Sequence, residues 1–299
     1  MRHLRGKLYA IKGRSVSLPG GQSITTANSI FIDDTTKAII DPSADRLTLR
    51  EISRANTIDF CFLSHSHLDH LCSYDLFPDS TYYLHEDEQL VPNGFRGAVP
   101  SVIKKILRDL GLDKFQPHER FKDGDVFEIG STPVCVVHAP GHTRGHSCFY
   151  FPNENTLYAA DFDLSVVGPW YAQADSDIDD FINSAERLGS IKADIWVTGH
   201  WKWVVRDNIF NRLDRFIRKI EERDARLVSS VQESRSVKEL SKLGLINPLL
   251  GFNRSAWLRA SEEAMITKNL ERLEARSRVR RVGREGWIGA GSEEQAGSQ

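Results

Sequence analysis

Cysteine is scarce in this chain, four in 299 residues, and no two form a C-x-x-C pair. That excludes a thiolate zinc ribbon and a dithiol redox motif. Cys61, Cys135 and Cys148 lie in apolar, strand-like runs and read as small buried hydrophobes. Cys72 stands close to a histidine cluster and could approach it, although a structural role is the expectation. No stretch of 18 apolar residues occurs, and the basic segment 1–7 is not followed by an apolar signal-peptide region. The expectation is a cytoplasmic protein without a membrane span. A formal net charge of −2 removes any global pull toward nucleic acid or lipid. Neither a G-x-S-x-G elbow nor a P-loop is present, so an elbow-borne serine nucleophile and a glycine-rich phosphate cradle are excluded as well.

What remains has the composition of an ordinary globular protein, 40% hydrophobic and 27% charged, and is long enough for a large domain with an appendage. Charge divides unevenly along it. Residues 1–204 carry 20 Lys/Arg against 27 Asp/Glu, a net of −7, whereas residues 205–299 carry 19 against 14, a net of +5. A boundary near 205 follows, with a first domain 1–205, an appendage 206–288 and a small, polar, disordered tail 289–299.

Histidine is where the chain is rich. His65, His67, Asp69 and His70 fall within six positions, directly after the apolar run 58–63. Imidazole and carboxylate are preferred ligands of zinc and similar divalent ions, and four such groups cannot all be satisfied by burial. Three more apolar runs end on candidate ligands: 134–137 leads through a Pro-Gly turn to His142, 156–160 to Asp161, and 195–198 to Gly199-His200. Asp161 is preferred over Asp163 because it directly ends its strand. His138 reads as a strand-edge or supporting residue, His118 as surface, and His85 as the start of a helix N-terminus with solvated acids at 86–88.

This ordered set resembles the H-x-H-x-D-H signature and following ligands of the metallo-β-lactamase superfamily, over roughly residues 5 to 205. The resemblance implies an α/β fold, a four-layer αββα sandwich. It implies that His65, His67 and His142 hold one metal, that Asp69, His70 and His200 hold a second, and that Asp161 bridges them. It further implies that Asp41 buttresses the metal loop and that His146, in P-G-H-T-x-G-H, is a structural neighbour. Two divalent ions are expected, zinc first, with iron or manganese as alternatives. Two metals about 3.5–4 Å apart would make hydroxide available at neutral pH without a protein nucleophile, and Asp69 would both ligate and orient it.

The substrate is read from weaker signals. Trp170, Tyr171 and Trp201 are candidates for an apolar pocket, with core packing as the alternative for each. No Arg/Lys cluster lies in sequence next to a ligand loop, Arg144 apart, which tilts the reading from a highly anionic substrate toward a small-molecule ester, thioester or lactone, as in the glyoxalase-II-like and lactonase-like branches. Phosphodiester or RNA cleavage, a regulatory metal-binding protein of the same fold, and iron-dependent oxidation are the alternatives. Nucleic acid is disfavoured as a partner.

Elsewhere, strands are expected at 7–12, 28–33, 37–41, 125–129, 133–138 and 147–151, and helices at 48–55, 101–111, 208–225, 236–243 and 261–276. Ser236 with Glu239 has capping-box spacing, and Ser261 alone would cap the last helix. Residues 277–288 read as a hairpin turning at 283–286. Helices followed by a hairpin resemble a reduced winged-helix appendage, expected here to pack or to mediate homodimerisation.

Overall fold

Apolar side chains follow one another almost without interruption along the central strands, so each sheet must bury both faces. In the computed structural model, which describes residues 1–17, 23–89, 115–246 and 256–291, they do. The first sheet contains β1 (Arg2–Arg5), β2 (Leu8–Ile11), β5 (Ser29–Asp33), β6 (Lys37–Ile40), β7 (Phe60–Phe62), β8 (Thr81–His85) and β9 (Glu119–Phe121), in that spatial order. A small hairpin, β3 (Ser15–Ser17) and β4 (Ser23–Thr25), precedes β5. The second sheet is β10 (Val126–Ile129), β11 (Thr132–His138), β12 (Ser147–Phe151), β13 (Thr156–Ala160), β14 (Ile195–Thr198) and β15 (Val204–Val205).

Ile30, Ile32, Ala38, Ile40 and Phe62 point inward from the first sheet to meet Val134, Val136, Phe149, Tyr158, Ile195 and Val197 from the second. The intervening residues face outward. Phe31, Ile39, Cys61 and Leu63 pack under helix α1 (Arg46–Ala55) through Leu49 and Ile52. Val137, Leu157, Ala159 and Trp196 pack under α3 (Ile178–Ser190) and α4 (Ile209–Ser230). Helix, sheet, sheet, helix gives the four-layer αββα sandwich. The one-turn α2 (Leu68–Leu71) lies in the loop after β7.

The C-terminal part is mainly helical. After α4 come β16 (Arg235–Ser236), α5 (Val237–Ser241), α6 (Ala256–Ala275), β17 (Val279–Val282) and β18 (Gly286–Gly289). The strands pair in the order β16-β18-β17, so the expected hairpin is present with a third strand on its edge. Ser236 and Glu239 form the capping box. A third core of Ile220, Leu227, Leu240, Met265, Leu270 and Trp287 joins these elements to Tyr171 and Ile178.

Three expectations need correction. Ser261 is no cap: it lies inside α6 and is fully buried. The helix expected to end at 225 runs to Ser230, because Leu227 continues its apolar stripe into the third core. Gly289, placed in a disordered tail, pairs with Val279 in β18 and donates its N–H to Val231. The helix expected at 101–111 lies outside the described residues. Among the described residues, no helix is long and apolar enough to cross a membrane.

Candidate metal centre

Strand direction places the ligands. β6, β7 and β8 run parallel, so Asp41, the loop 64–70 and the turn 85–88 all emerge at one edge of the first sheet. In the second sheet β11 is antiparallel to β12 and β12 to β13, while β13 and β14 are parallel. β11, β13 and β14 therefore share one sense, and the residues after them, His142, Asp161 and His200, reach one edge. The edges meet: Ser147 N–H donates to Ser64 O at 2.9 Å and Asn28 N–H to Gly199 O at 2.7 Å.

All seven candidate ligands gather there. One ligand atom each from His65, His67, His142 and Asp161 lie within 4.8 Å of one another, and the same holds for Asp69, His70 and His200. Asp161 spans both sets, with Oδ2 at 2.9 Å from His142 Nε2 and Oδ1 at 3.0 Å from His70 Nε2 and 3.8 Å from His200 Nε2. His67 Nδ1 faces His142 Nε2 at 3.0 Å, and His200 Nε2 lies 3.1 Å from Asp69 Oδ2.

Hydrogen bonds behind the ligands decide which ring nitrogens face inward. Asp41 is fully buried and accepts four donors: Ser64 N–H at 2.7 Å, Ser64 Oγ at 2.6 Å, His70 Nδ1 at 2.6 Å and Tyr158 Oη at 2.7 Å. Since the Ser64 hydroxyl proton goes to Asp41, its oxygen is left to accept from His65 Nδ1 at 3.0 Å. His65 and His70 thereby turn Nε2 into the site. His142 donates Nδ1–H to Trp170 O at 2.8 Å and does the same. Such outer partners set the tautomer and raise ligand basicity.

The inward atoms fit a metal. His65 Nε2, His70 Nε2 and Asp161 Oδ1 are buried without a hydrogen-bond partner, although His70 Nε2 and Asp161 Oδ1 are only 3.0 Å apart. Buried polar atoms are ordinarily paired, so close approach without hydrogen-bond angles points to a shared cation. Burial and neighbouring imidazoles push His65 well below its usual pKa and His67 down to about 4, which keeps both neutral. Burial acts against the charged form of Asp161 too, but His142 and His70 outweigh it and hold the carboxylate ionised. For His70 burial is again opposed, by Asp41 and Asp161, which raise its pKa. Neutral imidazoles and ionised carboxylates are the forms that bind zinc-like ions, so His65, His67 and Asp161 are ready to ligate. His70, His142 and His200, whose burial the neighbouring carboxylates outweigh to raise their pKa values, must give up a proton to do so.

Glu88 ties the two ligand loops together, a role not legible in the sequence. It is 3% exposed rather than solvated. Its Oε1 accepts from Ser66 N–H at 2.9 Å and Ser66 Oγ at 2.7 Å, and its Oε2 from Thr143 Oγ1 at 2.7 Å and Gly145 N–H at 3.0 Å. The expected helix N-terminus at 85–88 is thus a turn that clamps the residues beside His65, His67 and His142. The available signal was that β8 follows β7 in parallel, so a carboxylate just past its end falls beside the metal loop. Gly141 makes the next close approach: at φ +125° a Cβ there would lie 2.4 Å from the Phe181 backbone.

The other expected neighbours fall as follows. His146 uses both nitrogens, donating Nδ1–H to Ala139 O at 2.9 Å and accepting Asp161 N–H at 3.2 Å, so it orients Asp161. Cys72 turns away, its thiol donating to Leu68 O, and burial pushes its pKa up to about 12. His118 is exposed. His138 stacks on His85 at 3.9 Å, and with Asp87 the pair forms a separate group whose ligand atoms lie within 4.8 Å of one another. Tyr171 does not line a pocket. It is fully buried, bonded to Asn269 and covered by Arg223. Trp170 is half-buried, and Trp201, 59% exposed, follows His200 on the open side.

Comparison with known proteins agrees with this geometry. The chain is 26% identical over 182 residues to the hydroxyacylglutathione hydrolase of Francisella philomiragia, covering 58% of this chain and 61% of that one. It spans about three fifths or less of the length of the first curated relatives it matches. A metallo-beta-lactamase family protein from Thermus thermophilus, TTHA1429, shares the fold with TM-score 0.71 at 22% identity, covering 95% of this chain and 98% of that one. TTHA1623, solved in a di-iron-bound form, superposes with TM-score 0.50 at 21% identity over 68% of this chain and 97% of that one. The family model for the metallo-beta-lactamase superfamily matches residues 24–200, a span that holds every candidate ligand, and the chain belongs to that superfamily.

Proposed function

We propose that the chain is a dinuclear-metal hydrolase, with zinc the expected metal, acting on a small ester, thioester or lactone. The observation that carries this is the convergence of seven ligand atoms with buried, unpartnered nitrogen and oxygen atoms facing inward. His65, His67 and His142 would hold one ion, Asp69, His70 and His200 the second, and Asp161 both. Bound there, two divalent ions would lower the pKa of a shared water and polarise the oxygen under attack.

The remaining roles belong to the chain. Asp69 is held ionised because His200 and His70 outweigh the cost of its burial, so a carboxylate lone pair can accept a hydrogen bond from an attacking water and fix its direction. The Asp69 and His200 side chains are 27% and 22% exposed against 12% for Asp161, so the second set opens toward solvent. The exposed Trp201 indole beside His200 offers an apolar platform for the acyl group. The Francisella hydroxyacylglutathione hydrolase supports the thioester within this class.

The test combines elemental analysis with a substrate panel of acyl-glutathione thioesters, lactones and bis-p-nitrophenyl phosphate. Two zinc ions per chain with thioester or lactone turnover is the expected result. Iron at two per chain would revise the metal alone, and exclusive phosphodiester turnover would overturn the substrate class.

A further inference from the structure

His142 is held differently from the other ligands. Its Nδ1–H goes to Trp170 O, and its carbonyl accepts from Ser176 Oγ at 2.7 Å. Both partners belong to the segment 167–176, which has no strand or helix of its own. C-terminal helices fasten that segment at several points. Arg223 of α4 donates Nη1–H to Pro169 O at 2.7 Å and Nη2–H to Val167 O at 2.8 Å. Lys268 of α6 donates to Ser176 O at 2.5 Å and to Ala174 O at 3.3 Å, while Asn269 donates to the Tyr171 hydroxyl at 3.0 Å. Gly168, at φ +91°, sits so close to α4 that a Cβ would lie 2.3 Å from Lys219 Cβ.

Arg223 is unusual in itself. Its side chain is fully buried, and its partners are three backbone carbonyls, including Ile246 O at 3.3 Å, together with the Tyr171 ring 5.3 Å away. Among the described residues it has no carboxylate partner, and a buried cation so placed is a poor way to add stability. A planar fork that fixes two carbonyls in the three residues before Trp170 is a good way to fix the chain leading into Trp170. The second set has no such dependence. Asp41 holds His70, Ala27 N–H and Ser43 Oγ hold the Asp69 carbonyl, and Thr198 Oγ1 holds the His200 carbonyl, all from the sandwich itself.

We propose that Arg223 is a positioning residue for the metal centre: through the 167–176 segment, the C-terminal helices orient His142 and so set the affinity of the first metal independently of the second. This rests on the dinuclear reading above. Groups behind a ligand typically change metal affinity by about 10–100-fold.

The test is competitive zinc titration of the full chain against a chromophoric chelator, on wild type and on Arg223→Lys, which keeps the charge and loses the fork. Leu227→Ala is the comparison, a core truncation in the same helix that removes no hydrogen bond to the segment or to a ligand. Wild type should bind two zinc ions. Arg223→Lys should weaken one of them by about 10–100-fold and leave the other within about threefold, whereas Leu227→Ala should leave both unchanged. If Arg223→Lys fails to fold, Lys268→Met, at a partly exposed position, should weaken the same ion. Equal loss at both sites, no loss, or an equal effect of Leu227→Ala overturns the proposal.

A second readout uses the metal-free protein. In the ¹⁵N-labelled chain the His142 Nδ1–H proton should exchange slowly in wild type and Leu227→Ala, and at least tenfold faster in Arg223→Lys. Unchanged exchange overturns the proposal. If wild type takes up no zinc, the dinuclear reading falls, and this exchange measurement still decides whether Arg223 orients His142.

Discussion

Replacing Asp41 by asparagine isolates what a buried carboxylate does behind a metal site without ligating it. Oδ1 of Asp41 accepts one donor, Ser64 N–H, and Oδ2 accepts three, from Ser64 Oγ, His70 and Tyr158. An asparagine oxygen placed at the crowded side can still accept two or three bonds, each weaker for lack of charge, while its amide then opposes Ser64 N–H. One buried donor facing another costs roughly 1–3 kcal/mol, and weakening the bonds from His70 and Ser64 adds about 1 kcal/mol. The metal-free variant should therefore be about 3 kcal/mol less stable, a fall in melting temperature of roughly 5–10 °C for a chain of this size. Thermal unfolding with and without zinc measures it. Because His70 Nδ1–H loses its charged acceptor, the second metal should also bind about 10–100-fold more weakly, with the first much less affected. A melting temperature within about 1 °C of wild type, with both affinities unchanged, would refute the reasoning.

Removal of metal with a chelator should abolish hydrolysis, and zinc should restore it; activity that persists at zero measured metal would sink the metal-assisted mechanism. His67→Ala and Asp161→Ala should each abolish turnover, with Asp161→Ala lowering both metal affinities and His67→Ala mainly one, as read by titration. Gly141→Ala should destabilise the chain by at least about 3 kcal/mol, because it combines a left-handed backbone with a Cβ placed against the Phe181 backbone; a loss under about 1 kcal/mol in denaturant unfolding would show the loop can shift. Asp34 has its pKa lowered to about 2, chiefly by the Ser131 hydroxyl and the Thr35 N–H. A depressed carboxylate contributes stability that is present above its unfolded pKa and lost as pH falls through the folded one. The stability gap between wild type and Asp34→Asn should therefore be full above about pH 4 and close toward pH 2; a gap independent of pH from 5 to 2 would contradict that.

The strands of the sandwich were legible because their information is local. Near-continuous apolar runs in 29–33, 37–40 and 195–198 mark strands buried on both faces, and a candidate ligand that directly follows such a run lies at a strand end. The four-layer arrangement came from the family resemblance of the ordered ligand set. Boundaries governed by distant packing were harder to read. Helix α4 continues past 225 only because Leu227 meets Leu240 and Trp287, and Ser261 lies in mid-helix because α6 begins before it. Tyr171 has the residue type of a pocket lining and the burial of a core residue, a difference set by Asn269 and Arg223.

The sequence by itself determined the ligand types, their order and their attachment to strand ends, since those depend on side-chain chemistry and on short apolar runs that end at each candidate ligand. Only the tertiary structure decided which atoms face into the candidate metal centre. The tautomer of His70 is set by Asp41, 29 residues away, that of His142 by Trp170, and the relation of the two loops by Glu88. It also decided that the C-terminal helices reach the centre through Arg223, 81 positions beyond His142. Hydrogen bonds between residues far apart in sequence leave no periodic trace in it, so they appear only when the chain has folded.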